Sequence, residues 1–372
     1  MSWSPQQDRA ITAVKAWLTD KRGPQVFRLF GFAGSGKTTL ARHLAEDVKG
    51  LVLYACFTGK AALVLRKKGC EAAGTIHSLI YKVEQDDVTG EAKFNINRDS
   101  PASIAKLIVI DEVSMVGEEL ARDLLSFGAK VLVLGDPAQL PPVKGEGFFI
   151  NATPDVMLTE VHRQAAESPI IRMSMDIREG RYLTPGQYGG SLVVARQDVD
   201  KDRMRDIVLG ADQLLCGLNR TRHQFNARIR WLKGLADQGA PWMPDVGDRL
   251  VCLRNNRDKG LLNGGLWNVD SLGTGGKLIQ MRVTSLDDDN IAPIDIEVRP
   301  EFFKGTEKDL HWRDRREADE FTFGWALTVH KSQGSQWDNV VVFDESRTFR
   351  EDAAKHLYTA ITRAAEKVTV VV

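Results

Sequence analysis

Cysteine is scarce in this chain of 372 residues, and the four present, Cys56, Cys70, Cys216 and Cys252, are scattered. No C-x-x-C pair or Cys/His spacing suits a zinc site, which excludes a metal-nucleated fold and a disulfide framework. They read as reduced thiols of a cytosol-like compartment. Charge of one sign is also missing: fifty Lys+Arg stand against fifty Asp+Glu. No global field therefore attracts nucleic acid or an acidic surface, although a local basic groove remains compatible with that balance. Long apolar runs are absent as well, none approaching the roughly 18 residues of a membrane helix. The opening MSWSPQQDRA has neither the basic nor the apolar region of a secretory signal. The expectation is a soluble, cytoplasmic protein that uses no membrane.

What is present is an alternation of two kinds of segment. VFRLF, LVLYACF (51–57), KLIVIDEVSM (106–115) and KVLVLGD (130–136) are near-continuous apolar runs, separated by helical patterns such as EELARDLLSFG. Such runs predict a parallel sheet covered on both faces. Two stretches break the pattern. Residues 80–99 hold two short alternating runs around Thr89-Gly90, as a projecting hairpin would. Residues 244–290 exchange helices for short strands with Gly and Asn turns, which predicts a small all-β module. The α/β pattern then returns to the end of the chain, and no internal repeat is visible.

The densest chemical signal lies between the first apolar run and the helix after it. Gly31-Phe32-Ala33-Gly34-Ser35-Gly36-Lys37-Thr38 fits G-x-x-x-x-G-K-[ST] without a mismatch. Glycines let the backbone curl so that successive N–H groups converge on phosphate oxygens, and the helix start adds its positive end. Lys37 reaches the β- and γ-phosphates of a nucleotide, and Thr38 supplies a Mg²⁺ ligand. Thr39 completes the loop.

Asp111-Glu112 ends a later apolar strand, at the edge that faces the phosphate crevice in such sheets. Asp111 suits Mg²⁺, and Glu112 suits orienting and deprotonating a water. Gln139, in GDPAQLPPV, is placed to sense the γ-phosphate or to sit solvated in a proline-rich loop. Ser4-Pro5 makes an N-cap and first helical residue. Gln7 follows within that first turn, able to pair with adenine or to remain an exposed polar group.

Taken in order, GFAGSGKTT, FTGKAALVLRKKG, TIHSLI, IDEVSMV, GDPAQLPPV and the late group LTEVHRQ, ALTVHKSQGSQWDNVVV and LYTAITRA resemble a superfamily 1 DNA helicase of the RecD/Dda-like branch. The resemblance covers almost the whole chain. It implies an α/β fold of two RecA-like domains: 1–155 with the 80–99 hairpin as a wedge, and 156–243 plus 317–372, with 244–316 inserted as an SH3-like β domain. It implies ATP with Mg²⁺, single-stranded and forked duplex DNA, and 5′→3′ movement in a bacterial or phage-infected cell. Arg163 and Arg363 match the arginines that reach the γ-phosphate, Gln7 the adenine reader and Gln139 the nucleotide sensor. Thr58, Lys60, Thr75, His77, Thr328, His330, Lys331 and Ser332 match the DNA-contacting positions, and hydroxyls and amides on phosphates grip any base sequence alike. His77 and His330 equally suit capping or packing. Gln336 stands where the family often has a Glu at the ribose, which leaves that contact open. Replication or recombination proteins are the partner class left undetermined.

Two rival readings share these residues. An RNA-directed helicase has the same blocks, and a nucleotide-gated clamp would hold DNA without unwinding it. A metabolic P-loop kinase has no use for a second domain bearing ALTVHKSQG.

Overall fold

The computed structural model describes residues 3–85, 92–142, 147–160, 167–236, 239–256, 258–273 and 276–372. The Thr89-Gly90 turn and Arg163 lie outside the described residues. Helix α1 (Pro5–Thr19) leads to strand β1 (Val26–Gly31), α2 (Lys37–Glu46), β2 (Val52–Cys56) and α3 (Gly59–Lys67). Next come β3 (Gly74–Thr75), α4 (Ile76–Ile80), β4 (Tyr81–Gln85), β5 (Ala92–Ile96) and β6 (Leu107–Asp111). Then follow α5 (Glu118–Leu125), β7 (Lys130–Gly135), β8 (Val156–Leu158), α6 (Pro169–Arg178), β9 (Gly186–Tyr188) and β10 (Ser191–Val194). The next run is α7 (Lys201–Leu209), β11 (Gln213–Cys216), α8 (Asn219–Leu232), β12 (Arg249–Cys252), β13 (Leu266–Leu272), β14 (Ile279–Ser285) and β15 (Ile294–Val298). The chain ends with β16 (Phe321–Phe323), β17 (Ala326–Thr328), β18 (Trp337–Phe343), α9 (Ala353–Ile361) and β19 (Ala364–Val371).

Two compact units form. The first comprises Met1–Val193, Gln333–Gln336 and Ser346–Val368; the second comprises Val194–Ser332, Trp337–Glu345 and Thr369–Val372.

In the first unit six strands make one parallel sheet in the order β3-β2-β6-β7-β1-β8. Alternate residues of each strand feed opposite faces, so a run such as Leu107–Asp111 must be apolar throughout. Ile108, Ile110, Val131 and Val133 pack with Ile76, Ile80 and Leu124 on one face. Leu107, Val109, Leu132 and Leu134 pack with Val14, Leu40 and Leu44 on the other. Helix α1 begins where the sequence suggests: the Ser4 hydroxyl accepts from Gln7 N–H at 3.3 Å, and Gln7 Oε1 accepts from Ser4 N–H at 3.0 Å. β4 and β5 pair antiparallel from Tyr81↔Ile96 to Gln85↔Ala92. Their base is anchored on the sheet unit by Tyr81, whose hydroxyl donates to Asp123 at 2.5 Å.

In the second unit β11 lies between β17 and β18, both parallel to it. A separate antiparallel sheet, in the order β15-β14-β13-β12-β16, encloses Trp267, Val269, Met281, Val283 and Phe321. Arg230 of α8 is buried against this sheet at 1% exposure, and Asp248, just before β12, is at 0%. The Arg230 Nε donates to Asp248 at 2.9 Å, and its remaining N–H groups donate to the carbonyls of Leu235, Pro241 and Met243. Asp248 also accepts from Trp325 Nε1 at 3.2 Å and Asp245 N–H at 2.8 Å. Burial pushes the Asp248 carboxyl up, and the Arg230 hydrogen bond and charge oppose that shift. The four cysteines are buried free thiols, and burial pushes those of Cys216 and Cys252 up to about 12. Among the described residues, no helix is long and apolar enough to cross a membrane.

A buried pair broken on one side leaves an uncompensated charge. Arg230→Ala should therefore lower stability by about 3–5 kcal/mol, read as the midpoint of urea unfolding. Adding Asp248→Asn should recover part of that loss, because the orphaned charge is then gone.

Candidate functional site

Three neighbouring strands of the first sheet, β6, β7 and β1, end at the same edge. The residues following them meet there because parallel strands deliver their carboxyl ends together. After β1, Gly34 and Gly36 adopt φ of 77° and 80°, and Lys37 begins α2. At Gly36 a side chain would face both the left-handed backbone and Gln7 Nε2, 2.9 Å from the position of a Cβ. Ser35 is buried, with its hydroxyl donating to Phe32 O at 2.7 Å. The Lys37 ammonium donates to the carbonyls of Gly31 and Phe32, the latter at 3.0 Å. Thr39 lies in the first turn of α2.

After β6 the two carboxylates diverge in role. Asp111 Oδ2 accepts from the Thr38 hydroxyl at 2.8 Å, and its Oδ1 accepts from Glu112 N–H at 2.8 Å. Burial pushes the Asp111 carboxyl up, with the Glu112 charge adding to it; Thr38 and Lys37 pull the other way. Glu112 has φ 54°, a left-handed backbone that a non-glycine residue rarely holds, and its side chain is 30% exposed. Such strain collects at functional sites. The Thr38 hydroxyl and Asp111 carboxylate form an oxygen pair next to the phosphate loop, the donor chemistry that suits a hard cation such as Mg²⁺.

Gln139 follows β7, buried at 9% exposure, with its N–H donating to Asp136 O at 3.1 Å. Arg363, also in the first unit, is 6% exposed. Its Nη1 lies 4.0 Å from Glu112 Oε1 and donates to Ser335 O at 3.2 Å, and its Nε donates to Thr359 O at 3.2 Å. Gln7 is buried at 4% exposure, with Nε2 donating to Ser35 O at 3.1 Å. Its carboxamide thus braces the phosphate loop as well as capping α1. Gln336 is exposed.

The residues matched to DNA contacts divide between the units. In the first, Thr58 caps α3 by accepting from Ala61 N–H at 3.2 Å, and Thr75 caps α4 by accepting from Ser78 N–H at 3.0 Å. Lys60 is buried at 5% exposure. The His77 ring sits 5.8 Å from Phe57, 5.8 Å from Tyr81 and 5.9 Å from Phe94, and burial pushes its pKa down, favouring neutral imidazole. Phe94, on β5, is 53% exposed. In the second unit, Thr328 Oγ1 accepts from Lys331 N–H at 3.3 Å, and Lys331 Nζ donates to Asn263. Burial pushes the Lys331 ammonium down. Ser332 is fully buried with its hydroxyl on Val329 O at 2.7 Å, and His330 starts the short helical turn that holds it.

The sequence reading passed over several residues at this edge. Tyr358 bonds both the phosphate loop and Asp136, and Arg178 lies 3.7 Å over the Phe32 ring. Only the presence of Tyr358 in LYTAITRA and of Asp136 in GDPAQLPPV pointed toward them; nothing marked Arg178.

An AAA-domain family model matches residues 3–188, half of the chain. By that model, this chain belongs to the AAA-domain family. A UvrD-like helicase C-terminal domain matches residues 323–371. Over 370 residues this chain is 29% identical to the ATP-dependent RecD2 DNA helicase of Deinococcus radiodurans, covering 94% of this chain and 47% of that protein. It is 24% identical over 379 residues to the ATP-dependent DNA helicase Pif1 of Bdellovibrio bacteriovorus, covering 91% of this chain and 81% of that one. The chain thus spans about half of the first relative, and only 30% of a probable conjugal transfer protein TraA of Sinorhizobium fredii. Among solved structures, Pif1 helicases described as unwinding forked double-stranded DNA match with a TM-score of 0.59 at 20% identity, over 99% of this chain and 92% of that one. The fold is the RecA-like P-loop α/β fold.

Charge-assisted hydrogen bonds to phosphate contribute about 1.5–3 kcal/mol each. Lys37→Ala should therefore weaken binding of a fluorescent ADP by at least about tenfold, while circular dichroism remains that of the parent.

Proposed function

We propose that this protein is an ATP-dependent single-stranded DNA translocase and helicase that moves 5′→3′. The observation that carries the reading is that Lys37, Thr38, Asp111, Glu112 and Arg363 lie together at the phosphate-loop edge, with Gln139 in the loop after the neighbouring strand. That set contains every part that phosphoryl transfer to water needs, and a protein that only bound nucleotide would have no use for Glu112 in a strained backbone.

In this reading Lys37 and the loop amides hold the β- and γ-phosphates. Thr38 and Asp111 hold Mg²⁺, which when bound neutralises charge on the phosphate oxygens. Glu112 orients the attacking water and accepts its proton. Arg363, already 4.0 Å from that carboxylate, supplies positive charge where the transition state develops negative charge. Arg163 takes the same role by the family resemblance, and Gln139 reports the γ-phosphate. Gln7 and Gln336 serve the adenine and ribose ends.

The DNA path is proposed along Thr58, Lys60, Thr75 and His77 of one RecA-like domain and Thr328, His330, Lys331 and Ser332 of the other. The proposed domain division is 1–155, 156–243 with 317–372, and an SH3-like insertion at 244–316. Two of the hydroxyls cap helices, so the backbone at those helix starts carries much of the grip on phosphate. The relatives named as ATP-dependent DNA helicases and the Pif1 structures described as bound to single-stranded DNA support this choice over RNA.

The β4–β5 hairpin is proposed as the wedge at a fork. Its register supports a rigid projection, and Phe94 beside His77 would couple it to the strand being gripped.

Four outcomes test the reading. Single-stranded DNA should stimulate ATP hydrolysis, and Glu112→Gln should lower the turnover number by about 10²–10⁴-fold while fluorescent-ADP binding stays near parental. Unstimulated turnover equal to the DNA-bound rate would count against a motor. On forked duplexes, a 5′-tailed substrate should be unwound and a 3′-tailed one should not. Replacing 84–95 by a tight Asn-Gly turn should leave DNA-stimulated ATPase near normal and sharply reduce strand separation.

A further inference from the structure

Tyr358 is buried at 1% exposure in the middle of α9. Its hydroxyl accepts from the phosphate-loop N–H of Ala33 at 2.9 Å and donates to Asp136 Oδ2 at 2.7 Å. Asp136, 4% exposed, opens the loop that carries Gln139, and its Oδ1 accepts from Ala138 N–H at 3.0 Å. The next residue of the helix acts on the far end of the same loop. Thr359, fully buried, accepts from Leu140 N–H at 2.9 Å, while Gln333 Nε2 donates to Leu140 O at 2.9 Å. Gln139 therefore sits in a short loop pinned on both sides by consecutive hydroxyls of one helix. The same helix ends just before Arg363.

A phenol suits this place for a chemical reason. The hydroxyl must serve an N–H donor and a carboxylate acceptor at once, so it needs a lone pair and a proton on one atom. Burial, with the Asp136 charge second, pushes the phenol well above its ordinary range, so it keeps its proton and remains a donor. Burial pushes Asp136 up, but the nearby Lys37 charge, the Tyr358 hydroxyl and the Ala138 amide favour its ionised form. Lys37 and Thr38 are bonded to other groups, Lys37 donating to the Gly31 carbonyl and Thr38 to Asp111 Oδ2.

We propose that Tyr358 is a positioning residue for nucleotide hydrolysis, whose hydroxyl ties the phosphate loop at Ala33 to the Asp136–Leu140 loop and so sets Gln139 against the γ-phosphate. This rests on the hydrolytic reading of the site. The role of Tyr358 is kinetic, because it holds the loop that senses the γ-phosphate in register with the loop that binds it. Displacement of about 1 Å at such a position costs on the order of 10²-fold in rate without removing a binding contact.

The test uses the full chain with saturating single-stranded DNA. Tyr358→Phe keeps the ring and removes the bridge. The expected result is a turnover number lowered by about 10- to 100-fold, with fluorescent-ADP affinity within about threefold of the parent. Asp136→Asn should show the same split, and the double variant should be no worse than the poorer single, since both break one bridge. The double variant also removes the buried carboxylate that Tyr358→Phe alone leaves short of a donor, so the comparison survives a destabilised single. Parental turnover in Tyr358→Phe overturns the proposal. So does a parallel fall in turnover, ADP affinity and unfolding midpoint across all three variants, which marks a merely structural contact. An unmutated chain that hydrolyses no ATP with DNA present overturns both this and the hydrolytic reading, and it is recognised because it is seen without any substitution.

Discussion

The constraint on which the rest depends is the parallel alignment of β6, β7 and β1 as neighbours in one sheet. Parallel strands with covered faces deliver all their carboxyl ends to one edge, and each following loop inherits that address. The Thr38–Asp111 hydrogen bond at 2.8 Å exists only because β1 and β6 end together, one strand apart. Gly34 and Gly36 hold left-handed backbone in the first loop, and Glu112, directly after Asp111, holds the same conformation with a side chain. Disruption of strand register would therefore dismantle the site before it dismantled the core.

Buried polarity is handled in two different ways. Arg230 and Asp248 are fully buried and mutually satisfied, with carbonyls and an indole taking the leftover hydrogen bonds. Such a pair specifies how α8 meets the β sheet and has little freedom to respond to anything. Tyr358 and Asp136 are also buried, but the bonds they make run from one loop residue, Ala33, to another, Ala138, through a helix side chain. Loops at the end of a rigid sheet are where small displacements reach chemistry.

Much of the first unit was legible because its signals are local. Continuous apolar runs indicated strands covered on both faces, and Ile108/Ile110 and Leu107/Val109 do feed opposite cores. Ser4-Pro5 indicated a helix start, which the reciprocal Ser4–Gln7 bonds realise. Gln7 was harder: a carboxamide in a first turn has several uses, and it turned out to cap α1 and brace Ser35. Thr58 and Thr75 gave an equally ambiguous signal, since a hydroxyl before a helix suits a cap as well as a phosphate. Arg163 and the Thr89-Gly90 turn lie outside the described residues.

The sequence by itself determined the α/β class, the phosphate loop and the carboxylate pair after β6, because each is written in residues close together along the chain. Only the tertiary structure decided which residues complete that edge. Ala33 and Tyr358 stand 325 positions apart, and Leu140 and Thr359 stand 219 apart. No periodicity or spacing joins such pairs. Their meeting is set by how the late helix α9 packs within the first unit, a matter of summed apolar burial that no short stretch records.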